Sequence, residues 1–287
     1  MSVVIEKTFT LSGYKVTAKY WNRAKAQCVI ALHGWLDNAA SFDLLAPLLP
    51  ECNILALDLV GHGRSDHKPL GSHYYLADNV IDVMEVADAM GWQQFTLLGH
   101  SMGAAVAGLV AAALPDRVEQ LILIDGLGPL SSPPEKAGHL LKESVKQHIA
   151  HSSKKMPRYA SIEAAVQARA EGLNKLTLPA ARLLCERGLI VFPNGEYTWS
   201  TDPRLRHTSA MRFTEPQVLN LLSEVECRCL LVQAQDSIFN DFSEMGFAQR
   251  AQQLKNATHH IAPGGHHLHV EAEHVDKVAE LILDWLK

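Results

Sequence analysis

FTLLGHSMGAAVAGLVAAA, residues 95–113, is the stretch on which the fold turns. An apolar run of strand length meets Gly99-His100-Ser101-Met102-Gly103, and a small-residue run of helical length follows. G-x-S-x-G between a strand and a helix puts the serine on a tight, strained turn. Residues beside it must be small to avoid the strand and the helix, and Gly99, Gly103 and Ala104 meet that demand. The Ser101 hydroxyl is then lifted off the sheet, above a helix N-terminus that favours developing negative charge. Ser101 is the candidate nucleophile.

Outward from this point, short β-rich runs alternate with helical stretches, the pattern of a parallel sheet covered on both faces. QCVIALHG (27–34), NILALDL (53–59), FTLLGHS (95–101) and QLILIDG (120–126) read as buried strands. CRCLLVQA (227–234) and THHIAP (258–263) resume the signal late in the chain, while 3–11 and 15–21 alternate like an opening antiparallel pair. Helical patterns lie around 41–49, 76–90 and 102–113, and a helix from about Glu271 to Lys287 closes the chain. Residues 127–214 break the rhythm. They open on the turn-rich GLGPLSSPPE and continue as helical, polar-amphipathic sequence, and VFPNGEYTW carries the hairpin signal Asn194-Gly195. The expected organisation is an α/β core of residues 1–126 and 215–287, with a mainly helical cap, 127–214, inserted after the sixth strand.

The 287 residues are 47% hydrophobic and 20% charged, so a core can form without covalent staples. A net charge of -5 excludes a global attraction to nucleic acid or anionic membrane. Lys154, Lys155 and Arg158 form a small basic run that reads as solvated surface. Cys28, Cys52, Cys185, Cys227 and Cys229 are odd in number and scattered, with no second pair to complete a zinc site, so a reducing compartment is expected. The N-terminus carries charges early, unlike a signal peptide, and no run reaches the ~18 apolar residues of a membrane helix. A cytoplasmic protein is expected; the oligomeric state is not readable.

A serine nucleophile needs a base, an acid behind the base, and donors for the oxyanion. His33-Gly34-Trp35 ends the third strand, and the amides of Trp35 and Met102 are the expected oxyanion donors. Gly264-Gly265-His266-His267-Leu268-His269 follows the last strand, late enough in the chain to supply the base. His266, directly behind the glycines, is the expected base and His267 the alternative; a metal pair of His266 with His269 is a third reading. Two acids compete. Asp236 follows the seventh strand but sits one residue out of the small-x-x-Asp register counted from Ala234. Asp125 ends the sixth strand, 24 residues after Ser101, and is favoured. Phe192, Tyr197, Trp199 and Phe213 are candidates for an acyl pocket, against the alternative that they pack the inserted segment.

HGWLDNAASFDLLAPLLP, DLVGHGRS, LLGHSMG, LILIDG and PGGHHLH together resemble the α/β-hydrolase superfamily over nearly the whole chain, and most of all its serine hydrolase-like proteins. The resemblance implies a serine hydrolase with a cap over its site. It also implies that the seventh-strand loop often lacks an aspartate at the standard place, which adds to the case for Asp125. Gly61-His62-Gly63 resembles that family's glycine-rich loop after the fourth strand, and its reading here is structural. The expected reaction is acyl transfer from a small-molecule ester to water through Ser101, with neither metal nor organic cofactor. A C–C bond hydrolase or a thioesterase would use the same residues, and a ligand sensor could keep the fold without turnover.

Overall fold

The computed structural model describes residues 4–23, 27–150, 156–172, 174–241 and 246–287. Among the described residues eight strands form one sheet: β1 (Val4–Thr10), β2 (Lys15–Trp21), β3 (Gln27–Leu32), β4 (Cys52–Leu57), β5 (Phe95–His100), β6 (Val118–Ile124), β9 (Arg228–Asp236) and β10 (Ala257–Gly265). Their order is β1-β2-β4-β3-β5-β6-β9-β10. All neighbours from β4 to β10 run parallel, and β2 is antiparallel to both β1 and β4. This is the α/β-hydrolase fold, with helices on both faces of a mostly parallel sheet.

The central strands are apolar runs because both faces are covered. In β3, Ile30 and Leu32 face one core while Val29 and Ala31 face the other; Leu55 and Leu57 oppose Ile54 and Ala56 in β4 in the same way. The first core is roofed by α1 (Asp78–Ala89), α2 (Met102–Ala113) and α6 (Glu215–Ser223), through Val83, Val86, Val106, Val110, Val218 and Leu222. The second lies under Phe42, Leu45 and Leu49 and under α7 (Val275–Leu286), through Val278 and Ile282.

Residues 41–49 depart from the expected helix. They form two 3-10 turns, Ala39–Phe42 and Ala46–Leu48, with Pro47 in the second. Pro47 has no N–H to give to a helical ladder and its ring obstructs the preceding turn, so the apolar run collapses onto the sheet in short turns. The closing helix begins at Val275 rather than Glu271, after a tight turn.

Between β6 and β9 lie α3 (Ala137–Ile149), α4 (Ile162–Ala170), α5 (Leu178–Gly188), the two-stranded β7 (Leu189–Val191) and β8 (Tyr197–Trp199), and then α6. Gly195 takes φ 84° in the hairpin connection, which runs from Phe192 to Glu196 and so is longer than the Asn-Gly pair alone. Helices α4 and α5 bury a small core of their own, with Val166, Leu176, Ala181 and Leu184, and Val270, after β10, joins it. Lys154 and Lys155 lie outside the described residues. Among the described residues no helix is long and apolar enough to cross a membrane.

Candidate active site

Three strand ends converge. Ser101 leaves β5, Asp125 leaves β6, and His266 follows β10. Among the described residues only three non-glycines have positive φ: Leu36 at 64°, Ser101 at 52° and Asp125 at 40°. Each lies in a loop at the C-terminal end of a central strand, β3, β5 or β6, where the backbone is bent to present a group. Conformations of this kind cost on the order of 1–3 kcal/mol each and persist only where the surroundings enforce them. The Ser101 N–H donates to the Ile124 carbonyl at 3.0 Å and that of Asp125 to the Val232 carbonyl at 2.8 Å, which pins both bends to neighbouring strands.

The small residues of the motif have a steric reason. A Cβ on Gly103 would sit 2.0 Å from the Leu32 carbonyl oxygen, and one on Gly99 would sit 2.5 Å from the Ala104 Cα. Helix α2 thus starts directly against the end of β3, which brings the His33-Gly34-Trp35 loop beside Ser101. Met102 is the first residue of α2, where a backbone N–H has no partner within the helix. The Gly34–Asp37 turn is closed by Asp37 N–H donating to the Gly34 carbonyl at 3.2 Å, with Leu36 in the left-handed region.

The side chains form a continuous chain. Ser101 Oγ lies 2.9 Å from His266 Nε2, and His266 Nδ1 lies 2.6 Å from Asp125 Oδ2. The other oxygen, Oδ1, accepts the Ala234 N–H at 2.9 Å. An ionised carboxylate accepts only, so Nδ1 carries its proton toward Asp125 and Nε2 is left to accept from the serine hydroxyl. Asp125 and His266 are buried. Asp236 is exposed at the end of β9, and the carboxylate that bonds the His266 ring is that of Asp125. The ring of Phe239 stands edge-on to His266 with centroids 5.7 Å apart, a wall that the sequence reading did not name.

His267, the alternative base, points elsewhere, with Nε2 2.9 Å from Asp37 Oδ2. His269 is not brought to a shared ion with His266, since its Nε2 faces Ser41 Oγ at 3.1 Å. His100, the variable position of the G-x-S-x-G motif, is fully buried, and its Nε2 lies 2.8 Å from the His266 carbonyl oxygen. Only a protonated Nε2 can donate there, which leaves Nδ1 as a buried nitrogen with no partner among the described residues. Burial, reinforced by the neighbouring histidines 269, 266 and 267, holds the His100 ring well below its ordinary pKa and so neutral. In the same layer His33 accepts the Leu59 N–H on Nε2 at 3.0 Å and faces the Gly34 carbonyl with Nδ1 at 2.7 Å, tying the ends of β3 and β4 together. Burial lowers its pKa to about 4.

The aromatic residues expected to line a pocket have other partners. Phe192 lies under the Arg158 guanidinium, 4.3 Å from its ring centroid. Tyr197 bridges the backbone of Tyr159, and Trp199 donates its indole N–H to the Tyr159 hydroxyl at 3.2 Å while packing on the α4–α5 core. Phe213 packs against the main core. The first three sit on or beside a short hairpin, and each contacts Arg158 or Tyr159 of the same stretch between β6 and β9. Trp35 instead is 43% exposed and donates its indole N–H to the Leu205 carbonyl at 3.0 Å.

Comparison with known proteins agrees with this architecture. A family model described as the α/β hydrolase fold matches residues 27–148. A probable serine hydrolase of Drosophila melanogaster is 33% identical over 95% of this chain and 84% of that protein. A serine hydrolase-like protein of Dictyostelium discoideum is 33% identical over 91% of this chain and 76% of its own length. The crystal structure of a hypothetical protein from Pseudomonas aeruginosa PAO1 superposes with a TM-score of 0.92 at 42% identity, covering 98% of this chain and 99% of that one. The chain belongs to the serine hydrolase-like proteins of the α/β-hydrolase fold.

Proposed function

We propose that this protein cleaves a carboxylic ester through an acyl-enzyme on Ser101. The observation that carries the reading is the hydrogen-bonded chain from Ser101 through His266 to Asp125, anchored on two strained strand ends. His266 Nε2 takes the hydroxyl proton as Ser101 Oγ attacks the ester carbonyl, and Asp125 stabilises the imidazolium that results. The amides of Trp35 and Met102 donate to the oxyanion; a donor of this kind is worth ~10²–10³ in turnover. The C–O bond then breaks and the alcohol leaves with the proton from His266. Water attacks the acyl carbon as His266 takes its proton; the acyl C–Oγ bond then breaks, His266 returns the proton to Ser101 Oγ, and the carboxylic acid leaves. The segment 127–214 acts as a cap over Ser101, and Phe239 stands edge-on to His266 beside it.

Hydrolysis of p-nitrophenyl esters of increasing acyl length, by the wild type and by Ser101→Ala, tests this reading. Turnover is expected in the wild type and lost in the variant, with a chain-length optimum that sizes the acyl site. Absence of turnover on every ester by the folded wild type overturns it and moves attention to C–C bond or thioester cleavage.

A further inference from the structure

The loop after β3 and the turn after β10 each carry a group that the reaction needs. Both are joined to helix α4 by one buried ionic contact. Asp37, 2% exposed, accepts from His267 Nε2 on Oδ2 at 2.9 Å and from Arg169 Nη2 on Oδ1 at 2.7 Å. Burial works against charge on Asp37, but His267 and Arg169 outweigh it and hold the carboxyl well below its usual range. Asp37, His100 and His267 place ligand-type atoms within 4.8 Å of one another. The cation facing that carboxylate belongs to the chain itself, because the Arg169 guanidinium lies 3.4 Å from His267 Nε2 as well. The arrangement is a charge-assisted latch rather than an ion site.

Its position gives the latch a use. Asp37 follows Trp35 by two residues, and His267 adjoins His266. A Cβ on Gly34 would lie 2.9 Å from His100 Nδ1 and 3.2 Å from Asp37 Oδ2, so the loop, the latch and the histidine that holds the His266 carbonyl are in direct contact. A shift of Asp37 relative to His267 moves the oxyanion donor and the base relative to each other.

We propose that Arg169, Asp37 and His267 form a positioning relay through which helix α4 holds the 33–38 loop and the 266–270 turn in the register that Ser101 requires. The relay rests on reading Ser101 as a hydrolytic nucleophile. Docking of the segment between β6 and β9 is thereby coupled to the competence of the site, through positioning residues that touch no substrate.

The test compares Asp37→Asn, Arg169→Met, Arg169→Lys, His267→Leu and His267→Gln by the rate of Ser101 labelling with an alkyl fluorophosphonate, alongside ester kcat and KM. The labelling rate reports nucleophile activation without assuming an ester substrate. Asp37→Asn, Arg169→Met and His267→Leu are expected to lower the labelling rate and kcat by about 10- to 100-fold, the scale of a sub-ångström to ångström misplacement, with KM within about twofold. Arg169→Lys and His267→Gln each keep a donor toward Asp37 and recover most of the loss. Glu271→Gln weakens a different tie to the same segment, where Thr177 donates to Glu271 through its N–H at 2.9 Å, and leaves the labelling rate unchanged. A folded Asp37→Asn that labels at the wild-type rate, or equal rates for Arg169→Lys and Arg169→Met, overturns the relay while leaving the hydrolase reading intact. A folded wild type that is not labelled overturns both. Should Arg169→Met fail to fold, the Asp37 and His267 variants carry the same test.

Discussion

At the scale of the residue, the choice between two aspartates is a matter of which carboxylate reaches the imidazole. Asp125 Oδ2 is 2.6 Å from His266 Nδ1, while Asp236 is exposed to solvent. Asp125→Asn retains the volume, but with its carbonyl oxygen held by the Ala234 N–H its amide N–H faces Nδ1 as a donor, so the tautomer with a free Nε2 lone pair is lost. Turnover on the best p-nitrophenyl ester is expected to fall by about 10⁴-fold, the magnitude of the equivalent change in serine proteases. Asp236→Asn is expected to leave kcat within about twofold, because its exposed carboxylate lies outside the hydrogen-bonded chain and surface substitutions of this kind change stability little. The reverse pattern would return the acid's role to Asp236.

At the scale of the element, one buried ion pair fastens helix α5 to the end of β4. Asp58, fully buried, accepts the Ala39 N–H at 2.8 Å, the Arg64 N–H at 2.8 Å and the Arg187 Nε at 2.9 Å. Arg187 also reaches Glu6 on β1, with Nη1 at 2.6 Å from Oε1. Asp58 thus ties the glycine-rich Asp58–Ser65 loop, through the Arg64 N–H, to helix α5. Arg187→Met would leave Asp58 charged, buried and without its cation, a change that costs about 3–5 kcal/mol in comparable pairs. Urea unfolding should register a loss of that order; a change under 1 kcal/mol would mean that the backbone donors suffice to hold Asp58.

At the scale of the whole molecule, burial of several histidines sets how the fold responds to acid. Burial lowers His33 to about 4 and His62 and His269 to about 3, from an ordinary 6.5, and it lowers His100 well below that value. Unfolded chains protonate these rings as pH falls through about 6.5, whereas the folded molecule does not until about 4 or lower. The unfolded state therefore binds more protons in that window, and stability declines as pH falls. Each such histidine contributes a slope of up to about 1.4 kcal/mol per pH unit. Unfolding midpoints in urea are expected to drop steeply between pH 6.5 and 4 and to change little from 6.5 to 8. His100→Asn should flatten the acid slope, and an unchanged slope would remove His100 from the titrating set.

What the sequence by itself determined rests on short-range physics. Steric crowding at a strand-to-helix turn selects Gly99 and Gly103 and identifies Ser101, and apolar runs of strand length mark β3 to β6 because both faces of those strands are buried. The same reasoning misjudged residues 41–49, where one proline outweighs a helical pattern, and it left Phe192, Tyr197, Trp199 and Phe213 open between pocket lining and packing because composition does not say what a ring packs against. The family was legible too, through several motifs in order. Tertiary structure alone decided which of three clustered histidines faces the serine, which aspartate stands behind it, and that Asp37, His100 and Arg169 belong to the same constellation. Those partners lie far apart in the chain, His266 being 141 residues from Asp125 and 165 from Ser101. Only the lateral order of β5, β6, β9 and β10 brings their ends together, and the few ångströms that separate His266 from His267 at the serine come from that packing rather than from local sequence.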